Sequence, residues 1–198
     1  LCHQVGDAMS VYDLLKEKNK AVPASLKQAL LELVAFHNEE EAEEEGFEAR
    51  GVLREKGSKW VQGGFAEKLY SEEEGSTAAG RLALLLGYAR HDNGKGAKQV
   101  WQQCKECGDV LPLEAHHALL SSYSTEGVEK SMVFLREVLG GLKEQGLEPN
   151  TETLVQVLGV LKHTARGQEQ QQSCNYALDC VAEFRAAGVA MSLGVYKS

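Results

Sequence analysis

Two cysteines at metal-ligand spacing are the first residues whose types could do chemistry. Cys104 and Cys107 form a Cys-x-x-Cys pair, a spacing that occurs in zinc sites and in redox motifs. Zinc needs about four ligands, but Cys174 and Cys180, the other late cysteines, are six residues apart. We therefore predict no metal site and no cofactor, and expect Cys104 and Cys107 to lie on the inner face of a helix. The odd total of five cysteines favours a reducing compartment.

Two adjacent histidines and a run of glutamates are the remaining candidates. Neighbouring helical side chains point about 100° apart, so His116 and His117 do not share one small ligand, and ordinary packing or exposure explains them. Glu39–Glu45 contains six glutamates, which is typical of a solvated loop; the alternative is a docking segment for a basic partner. The sequence has no nucleophile–base motif, phosphate-binding glycine loop or paired-carboxylate arrangement. We predict no enzymatic activity and no small-molecule substrate.

The acidity of the chain is concentrated in one segment. The net charge is −8 over 198 residues, of which residues 39–74 contribute −7. The rest is close to neutral, so strong non-specific binding to phosphates is not expected of it. The longest apolar run, Leu82–Leu86, is far shorter than the ~20 residues of a membrane-spanning helix, and we expect no membrane partner. Because the sequence opens at Leu1, we expect it to be part of a longer chain, with any targeting segment out of view.

The candidate residues are placed on helices by the apolar pattern. Val128, Met132, Leu135, Leu139 and Leu142 share one helical face, and Leu154, Val157, Leu158 and Leu161 share the next. Further helices are predicted over 5–19 (Val11, Leu14 and Leu15 inward), 24–37 (Leu26, Leu30, Leu33, Val34), 65–70, 77–90 (Leu82, Leu85, Leu86, Ala89), 97–107 (Val100, Trp101, Cys104), from about 113 to Ser124 (His116, Leu119, Leu120, Tyr123), and around Ala177, Val181 and Phe184, after a polar loop at 168–172. Within the irregular stretch 38–64, Trp60 is the residue that we expect to be anchored, since a large ring is rarely left in water.

The helix ends repeat. Lys105-Glu106-Cys107-Gly108 precedes Pro112, Lys143-Glu144-Gln145-Gly146 precedes Pro149, Arg185-Ala186-Ala187-Gly188 precedes Met191, and Lys16-Glu17-Lys18-Asn19 before Pro23 is a looser copy. The glycines are 38 and 42 residues apart. Gly146 is suited to end a helix in a left-handed conformation and Asn150 to cap the next. A period of this length indicates a solenoid of helical hairpins.

This pattern of a helix ending in Lys-Glu-x-Gly, a short link with proline and then a helix with a central apolar stripe resembles the pentatricopeptide repeat family. The order of further segments resembles the members found in the animal mitochondrial small ribosomal subunit. These segments are LKQALLELVAFH (26–37), Trp60 with FAEKLY (65–70), GYARH (87–91), and FRAAGV (184–189) with SLGVY (192–196).

The resemblance implies an all-α fold, a right-handed α-solenoid of stacked antiparallel helix pairs with an acidic loop insertion. Its predicted parts are the second helix of a preceding repeat (1–22), a repeat with the insertion at about 38–64 (23–75), three more repeats (76–111, 112–148 and 149–190), and the start of another (191–198). It also implies a structural protein of the mitochondrial matrix, bound to the small ribosomal subunit near the entry of messenger RNA. The implied partners are small-subunit ribosomal proteins, 12S-type ribosomal RNA and messenger RNA.

The family reads single-stranded RNA at one base per repeat, with two or three side chains. The resemblance puts the base-selecting position of successive repeats at Leu82, His117, Val155 and Lys197, with junction partners Pro112, Asn150 and Ser192. Leucine and valine do not hydrogen-bond a base edge, so we predict contact by shape and backbone, or with protein, in place of sequence-specific readout. The residues predicted to contact RNA are Arg90, His91, His117, Asn150, Lys162, His163 and Lys197. For His91 and His163, which end first helices, a favourable interaction with the helix dipole is an alternative that needs no function.

Two other functions fit the same sequence. One is an organellar RNA-binding factor that stabilises or processes transcripts without being a fixed ribosomal component. The other is a protein–protein scaffold without RNA contact.

Overall fold

The computed structural model describes residues 3–38, 59–72, 77–123, 127–164, 170–191 and 195, and every regular element in them is an α-helix. The described helices are α1 (His3–Glu17), α2 (Ala24–His37), α3 (Phe65–Ser71), α4 (Ala78–Arg90), α5 (Gly94–Cys107), α6 (Leu113–Ser122), α7 (Val128–Glu144), α8 (Thr151–Thr164) and α9 (Gln170–Ala186). None of these helices is long and apolar enough to cross a membrane.

The chain forms two compact units, unit 1 (Leu1–Asp109) and unit 2 (Val110–Ser198). In unit 1, α2 packs on α1, α3 and α4, and α4 packs on α5. In unit 2, α8 packs on α6, α7 and α9, and α6 packs on α7. Each unit therefore stacks helices in chain order, with α2 on α4 and α6 on α8, which is the packing of a helical-repeat solenoid. The all-α prediction is confirmed, and the repeat boundaries stay a prediction.

Helices α1, α5, α7 and α9 end in the same way, which explains the repeated sequence punctuation. After α7, the Leu147 N–H donates to the Leu142 carbonyl at 2.9 Å and the Gly146 N–H donates to the Lys143 carbonyl at 3.1 Å. The same pair of hydrogen bonds closes the other three helices. This motif needs a residue at positive φ; Gly146 has φ 68°, and Asn19, Gly108 and Gly188 occupy the equivalent positions.

The predicted inward residues are correct for α8 and partly wrong for the helices of unit 1. The four predicted core residues of α8 are at most 8% exposed. In unit 1, however, Val11, Leu14 and Leu26 are 51–55% exposed and Leu86 is 39% exposed. The faces of α1 and α2 that are buried centre on Val5, Tyr12, Leu31, Val34 and Ala35. Both helices carry apolar residues on more than one face, so the spacing alone did not separate buried residues such as Val34 from exposed ones such as Leu26.

Two predicted loops are shorter than expected. Helix α5 begins at Gly94, because the Asn93 side chain accepts a hydrogen bond from the Gly96 N–H at 3.1 Å and caps the first turn. Helix α9 begins at Gln170, so the end of the predicted polar loop at 168–172 is its first turn. Glutamine is a good helix former, and the polar composition of this segment reflects exposure of the turn.

The end of the acidic insertion is tied to the helices around it. The Asn38 side chain donates to the Lys59 carbonyl at 2.8 Å and accepts from the Val61 N–H at 2.9 Å. Trp60 is 8% exposed and lies 4.4 Å from Tyr88 between ring centroids, which confirms the prediction that it is anchored. Residues 38 and 59–64 thus belong to the packed structure of unit 1, while the glutamate run lies outside the described residues.

Glu67 holds this cluster together. Its carboxylate accepts hydrogen bonds from the Trp60 indole at 2.7 Å, the Tyr88 hydroxyl at 2.6 Å and the Gly63 N–H at 2.7 Å. Burial alone would raise the pKa of Glu67, but these three donors outweigh it and lower the pKa. The sequence analysis missed this role, since nothing in the local pattern connects Glu67 with Tyr88.

Candidate nucleic-acid interface

The described base-selecting candidates lie on α4, which packs on α2 in unit 1, and on α6 and α8, which pack on each other in unit 2. Leu82 on α4, His117 on α6 and Val155 on α8 are all partly exposed. Of the predicted junction partners, Pro112 and Asn150 are exposed. Lys197 and Ser192 lie outside the described residues.

In unit 2 the predicted pair His117 and Asn150 is connected through Thr153. The His117 Nε2 atom lies 2.8 Å from the Thr153 hydroxyl oxygen. That hydroxyl also accepts from the Asn150 N–H at 3.1 Å and donates to the Asn150 side-chain oxygen at 3.2 Å. The structure therefore brings the two predicted residues into one polar network, which joins α6 to the start of α8.

Thr153 was missed by the sequence analysis, although a signal for it exists. Its N–H donates to the Asn150 side-chain oxygen at 3.0 Å, so Asn150 caps α8 as predicted. A cap residue followed three positions later by a hydroxyl is the spacing of a reciprocal capping box. Thr153 is fully buried, and it links the cap to His117, the predicted base-selecting residue on α6.

His116 is part of the core, as the packing interpretation predicted. It is fully buried, and its Nδ1 lies 3.2 Å from the Pro112 carbonyl, to which it donates. Among the described residues, its Nε2 has no hydrogen-bond partner. Burial lowers the pKa of His116, the bond to Pro112 opposes this, and the charge of His117 adds to it. Burial also lowers the pKa of His117, so neutral imidazoles are favoured at both positions.

His91 is held inside unit 1. It is 7% exposed, and its Nε2 lies 3.0 Å from the Phe36 carbonyl in the last turn of α2. Since a carbonyl only accepts, Nε2 carries the proton in this bond. The ring thus ties the C-terminal end of α4 to that of α2, and it offers little surface to RNA. Arg90 beside it is exposed, with its guanidinium 3.8 Å from the centroid of the Phe36 ring.

Lys162 and His163 are both exposed in the last turns of α8. Cationic side chains are favoured there by the helix dipole. Of the seven predicted RNA-contact residues, two (His117 and Asn150) share one polar network, three (Arg90, Lys162 and His163) are exposed, His91 is buried, and Lys197 lies outside the described residues.

The surface between α2 and α4 differs from that between α6 and α8. It is a groove of about 490 Å³ whose walls and floor are mainly apolar. Its lining residues are Glu32 and Phe36 of α2 and Ala79, Ala83, Leu82, Leu86, Gly87 and Arg90 of α4. Phe36 is 50% exposed. Leu82 therefore lies in a mainly apolar groove, and its own side chain has no donor or acceptor for a base edge.

The cysteines differ from the prediction in one respect. Cys104 is fully buried, as expected, but Cys107 is exposed, so only one of the pair lies on the inner face of α5. Burial raises the pKa of the Cys104 thiol to about 12, and a thiol in this state is a poor nucleophile. Among the described residues, no group of three or more histidines, cysteines or acids is placed to hold a metal ion.

Comparison with known proteins agrees with the repeat pattern. Residues 2–93 match the family model described as "Small ribosomal subunit protein mS39, PPR". The chain is 32% identical over 202 aligned residues to the Drosophila melanogaster small ribosomal subunit protein mS39, an alignment that covers 98% of the chain and 30% of the fly protein. The chain thus spans less than a third of the length of this relative. The matching family model and the alignment show that the chain is similar to the small ribosomal subunit protein mS39, and the helices that stack in chain order within each unit agree with a helical-repeat fold.

Proposed function

We propose that the protein is a structural, non-catalytic component of the mitochondrial small ribosomal subunit. The observation that carries this proposal is the 32% identity to the fly protein mS39 over 98% of the chain. An identity spread over the whole chain supports a shared role better than a match confined to one helix pair. In this role the protein resides in the mitochondrial matrix and contacts small-subunit ribosomal proteins.

We further propose that unit 2 contacts RNA, either 12S-type ribosomal RNA or messenger RNA near its entry to the subunit. The network of His117, Thr153 and Asn150 supports this, because it holds polar groups at two positions with which the family reads bases. The exposed side chains of Lys162, which is cationic, and His163 are candidates for contact with the RNA backbone.

Base-specific reading along the whole chain is not part of the proposal. Leu82 and Val155 stand at base-selecting positions in the adjacent predicted repeats, and neither side chain forms hydrogen bonds. Residues 75–198 are close to neutral, so phosphate attraction gives them little general affinity. RNA contact is therefore confined to a few residues, and it is determined by where the protein is bound on the ribosome.

Co-sedimentation of the full-length protein tests the proposal. We expect it to travel with the mitochondrial small subunit in a sucrose gradient at moderate salt, and to remain there after puromycin releases messenger RNA. Ultraviolet crosslinking should recover ribosomal RNA from the same fractions.

Two results would favour other functions. Release from the gradient fraction by mild ribonuclease, with crosslinks to selected transcripts, would indicate a transcript-binding factor. Retention in a large complex without any RNA crosslink would indicate a protein scaffold.

A further inference from the structure

We propose that the surface formed by α1 and α2 binds a further helix of the same protein. This helix precedes α1 in the full-length protein and takes the place that α6 has on α7 and α8. It presents an apolar face, with an apolar side chain over Leu26. The surface belongs to unit 1 and is separate from the polar network of unit 2, so the inference does not depend on RNA binding.

The helix pair α1–α2 has the same register as the pair α7–α8. Asn19 and Gly146 follow α1 and α7 at positive φ. When these two residues are aligned, Ala24 falls on Thr151 without a gap, so α2 and α8 begin at matching positions. The ends of all four helices match in the same way. Each residue of α1 and α2 therefore has a defined counterpart in α7 or α8.

The two equivalent surfaces are buried to different degrees. Val138 and Thr153 are fully buried in unit 2, whereas their counterparts Val11 and Leu26 in unit 1 are 54% and 55% exposed. Three more pairs show a partly exposed residue in unit 1 and a fully buried one in unit 2: Ala8 and Leu135, Leu15 and Leu142, and Leu30 and Val157. Unit 2 thus covers a surface that is open to solvent in unit 1.

The other side of α2 is buried as well as its counterpart on α8. Leu31 and Val34 are at most 1% exposed, and their counterparts Leu158 and Leu161 are at most 8% exposed. Helices that follow in the chain pack on both, with α3 and α4 on α2 and α9 on α8. The difference between the units is therefore confined to the side that a preceding helix covers.

Helix α6 is the element that covers this side in unit 2. It packs on both α7 and α8, and Tyr123 at its end stacks on Phe134 of α7 with 3.6 Å between ring centroids. On α8 it meets Thr153, the counterpart of Leu26, through His117 Nε2 at 2.8 Å. Since α6 comes directly before α7, the equivalent helix comes directly before α1. The chain spans 30% of the fly protein mS39, and a full-length protein of that size has further residues for this helix.

The chemistry of the α1–α2 surface specifies an apolar helix. A groove of about 270 Å³ runs between α1 and α2. Its described lining residues are Ala8, Val11, Tyr12, Leu15, Val22, Leu26, Ala29, Leu30 and Leu33. These residues offer no cation to a phosphate backbone, and the Tyr12 hydroxyl already donates to Glu72 at 3.1 Å.

The residue over Leu26 is the point at which the incoming helix must differ from α6. Leu26 has no hydroxyl to match that of Thr153, so a histidine in the place of His117 would be buried without this hydrogen bond, at a cost in free energy. An apolar side chain there is instead stabilised by removal from water.

Photocrosslinking of the isolated full-length protein tests the proposal. In one variant p-benzoylphenylalanine replaces Val11, and in the control it replaces Val133 of α7, which is also 54% exposed. We expect the crosslinker at Val11 to join a segment that precedes α1 in the same molecule, with apolar residues at helical spacing and a yield that does not change on dilution. The control should give at least about 10-fold less of this product, since only a neighbouring segment has a high effective concentration.

Thiol modification gives an independent measure. Leu26→Cys in the full-length protein should react with a maleimide at least about 10-fold more slowly than Leu26→Cys in the 198-residue chain, because a covered thiol reacts only after local opening. Val133→Cys should differ less than about 2-fold between the two proteins. Peptide mass spectrometry separates these sites from the exposed native Cys107 and Cys174. Both substituted positions are exposed, so circular dichroism should show every variant folded as the wild type.

Several results would overturn the proposal. These are equal reaction rates of Leu26→Cys in the two proteins, and a crosslink from position 11 to a segment that follows residue 198. A crosslinked dimer that is lost on dilution would assign the surface to a second copy of the chain. Protection of Leu26→Cys only in assembled small subunits would assign it to a different protein. The first two measurements use the isolated protein, so their outcome is independent of whether the protein is a ribosomal component.

Discussion

Helix α2 packs on α4 in unit 1 as α6 packs on α8 in unit 2. The two helix pairs differ in the polarity of the surface between their helices. Between α2 and α4 the surface is mainly apolar, with Phe36 and Leu86 exposed and Leu82 partly exposed beside the charged Glu32 and Arg90. The link between α6 and α8 is the polar network of His117 and Thr153. The comparison teaches that the repeat fixes how helices stack, while each surface is free to take a different partner.

The interiors of the two units differ as well. Unit 1 contains the ion pair of Arg81 and Asp109, whose side chains are each 8% exposed. The ion pair joins α4 to Asp109, the second residue after the end of α5. In unit 2, the buried polar group at the start of α6 is the neutral imidazole of His116. Of its two ring nitrogens, only Nδ1 has a hydrogen-bond partner among the described residues. The two units should therefore respond differently to substitution and to pH.

The largest effect is expected from Arg81→Met. It leaves the Asp109 carboxylate buried without the guanidinium that donates to both of its oxygens, which should lower the free energy of unfolding by about 3–5 kcal/mol. Urea titration measures this. Arg136→Met in unit 2 is the control, since Arg136 is exposed, and it should cost less than about 1 kcal/mol.

A double variant separates charge from packing. Arg81→Met with Asp109→Leu removes both charges and should recover most of the loss, because an apolar replacement of a buried pair is often close to neutral. A loss below about 1 kcal/mol for Arg81→Met alone would show that the pair does not stabilise unit 1.

Two glycine-to-alanine substitutions, one in each unit, should change the free energy of unfolding in opposite directions. At Gly87 an added Cβ would meet the Ala35 carbonyl oxygen at 2.7 Å and the Trp60 ring at 3.0 Å. Gly87→Ala should therefore destabilise the chain by about 1–3 kcal/mol despite its better helix propensity. At Gly159 in α8 an added Cβ meets nothing within 4 Å, so Gly159→Ala should stabilise it by about 0.5–1 kcal/mol. Destabilisation of equal size by both, in thermal or urea unfolding, would remove this contrast.

His116 should make the stability of unit 2 depend on pH. Its pKa in the fold is below its ordinary value of 6.5, so below pH 6.5 the unfolded chain binds more protons than the folded one. The free energy of unfolding should then fall as pH is lowered, by up to about 1.4 kcal/mol per pH unit until the folded-state pKa is reached.

Replacement of the imidazole checks this assignment. His116→Phe should flatten the dependence of the urea midpoint on pH between about 6.5 and 5, whereas His163→Gln, at an exposed position, should leave it as in the wild type. An unchanged slope in His116→Phe would assign the dependence to other groups, beginning with His117.

The smallest effects are expected at the helix caps, where the units agree. The Thr77 hydroxyl accepts from the Gly80 N–H at 3.0 Å in unit 1, as the Asn150 side chain does from the Thr153 N–H in unit 2. Thr77→Ala and Asn150→Ala should each cost about 1 kcal/mol. A much larger loss for Asn150→Ala in thermal unfolding would show that its bond to the Thr153 hydroxyl contributes beyond capping.

The sequence predicts the helices well because their boundaries are set locally. Gly146 at positive φ and the Asn150 cap are both visible in the chain itself. The contacts between side chains of different helices, in contrast, join residues that are far apart in the sequence. Glu67 meets Tyr88, and His91 meets Phe36, only after helices distant in sequence have stacked. For the same reason the local pattern did not show that His91 is buried against Phe36. Leu86 was predicted as a core residue and is 39% exposed, because α4 has more than one apolar face.

The central claim is that RNA contacts unit 2 and does not contact the mainly apolar groove between α2 and α4 of unit 1. Mass spectrometry of ultraviolet-induced RNA–peptide crosslinks in assembled small subunits tests it most directly. We predict RNA adducts on peptides of α6 and α8, around His117 and Asn150, and none on the peptide that contains Leu82 and Leu86. RNA adducts on the Leu82–Leu86 peptide, with none on α6 or α8, would contradict the claim.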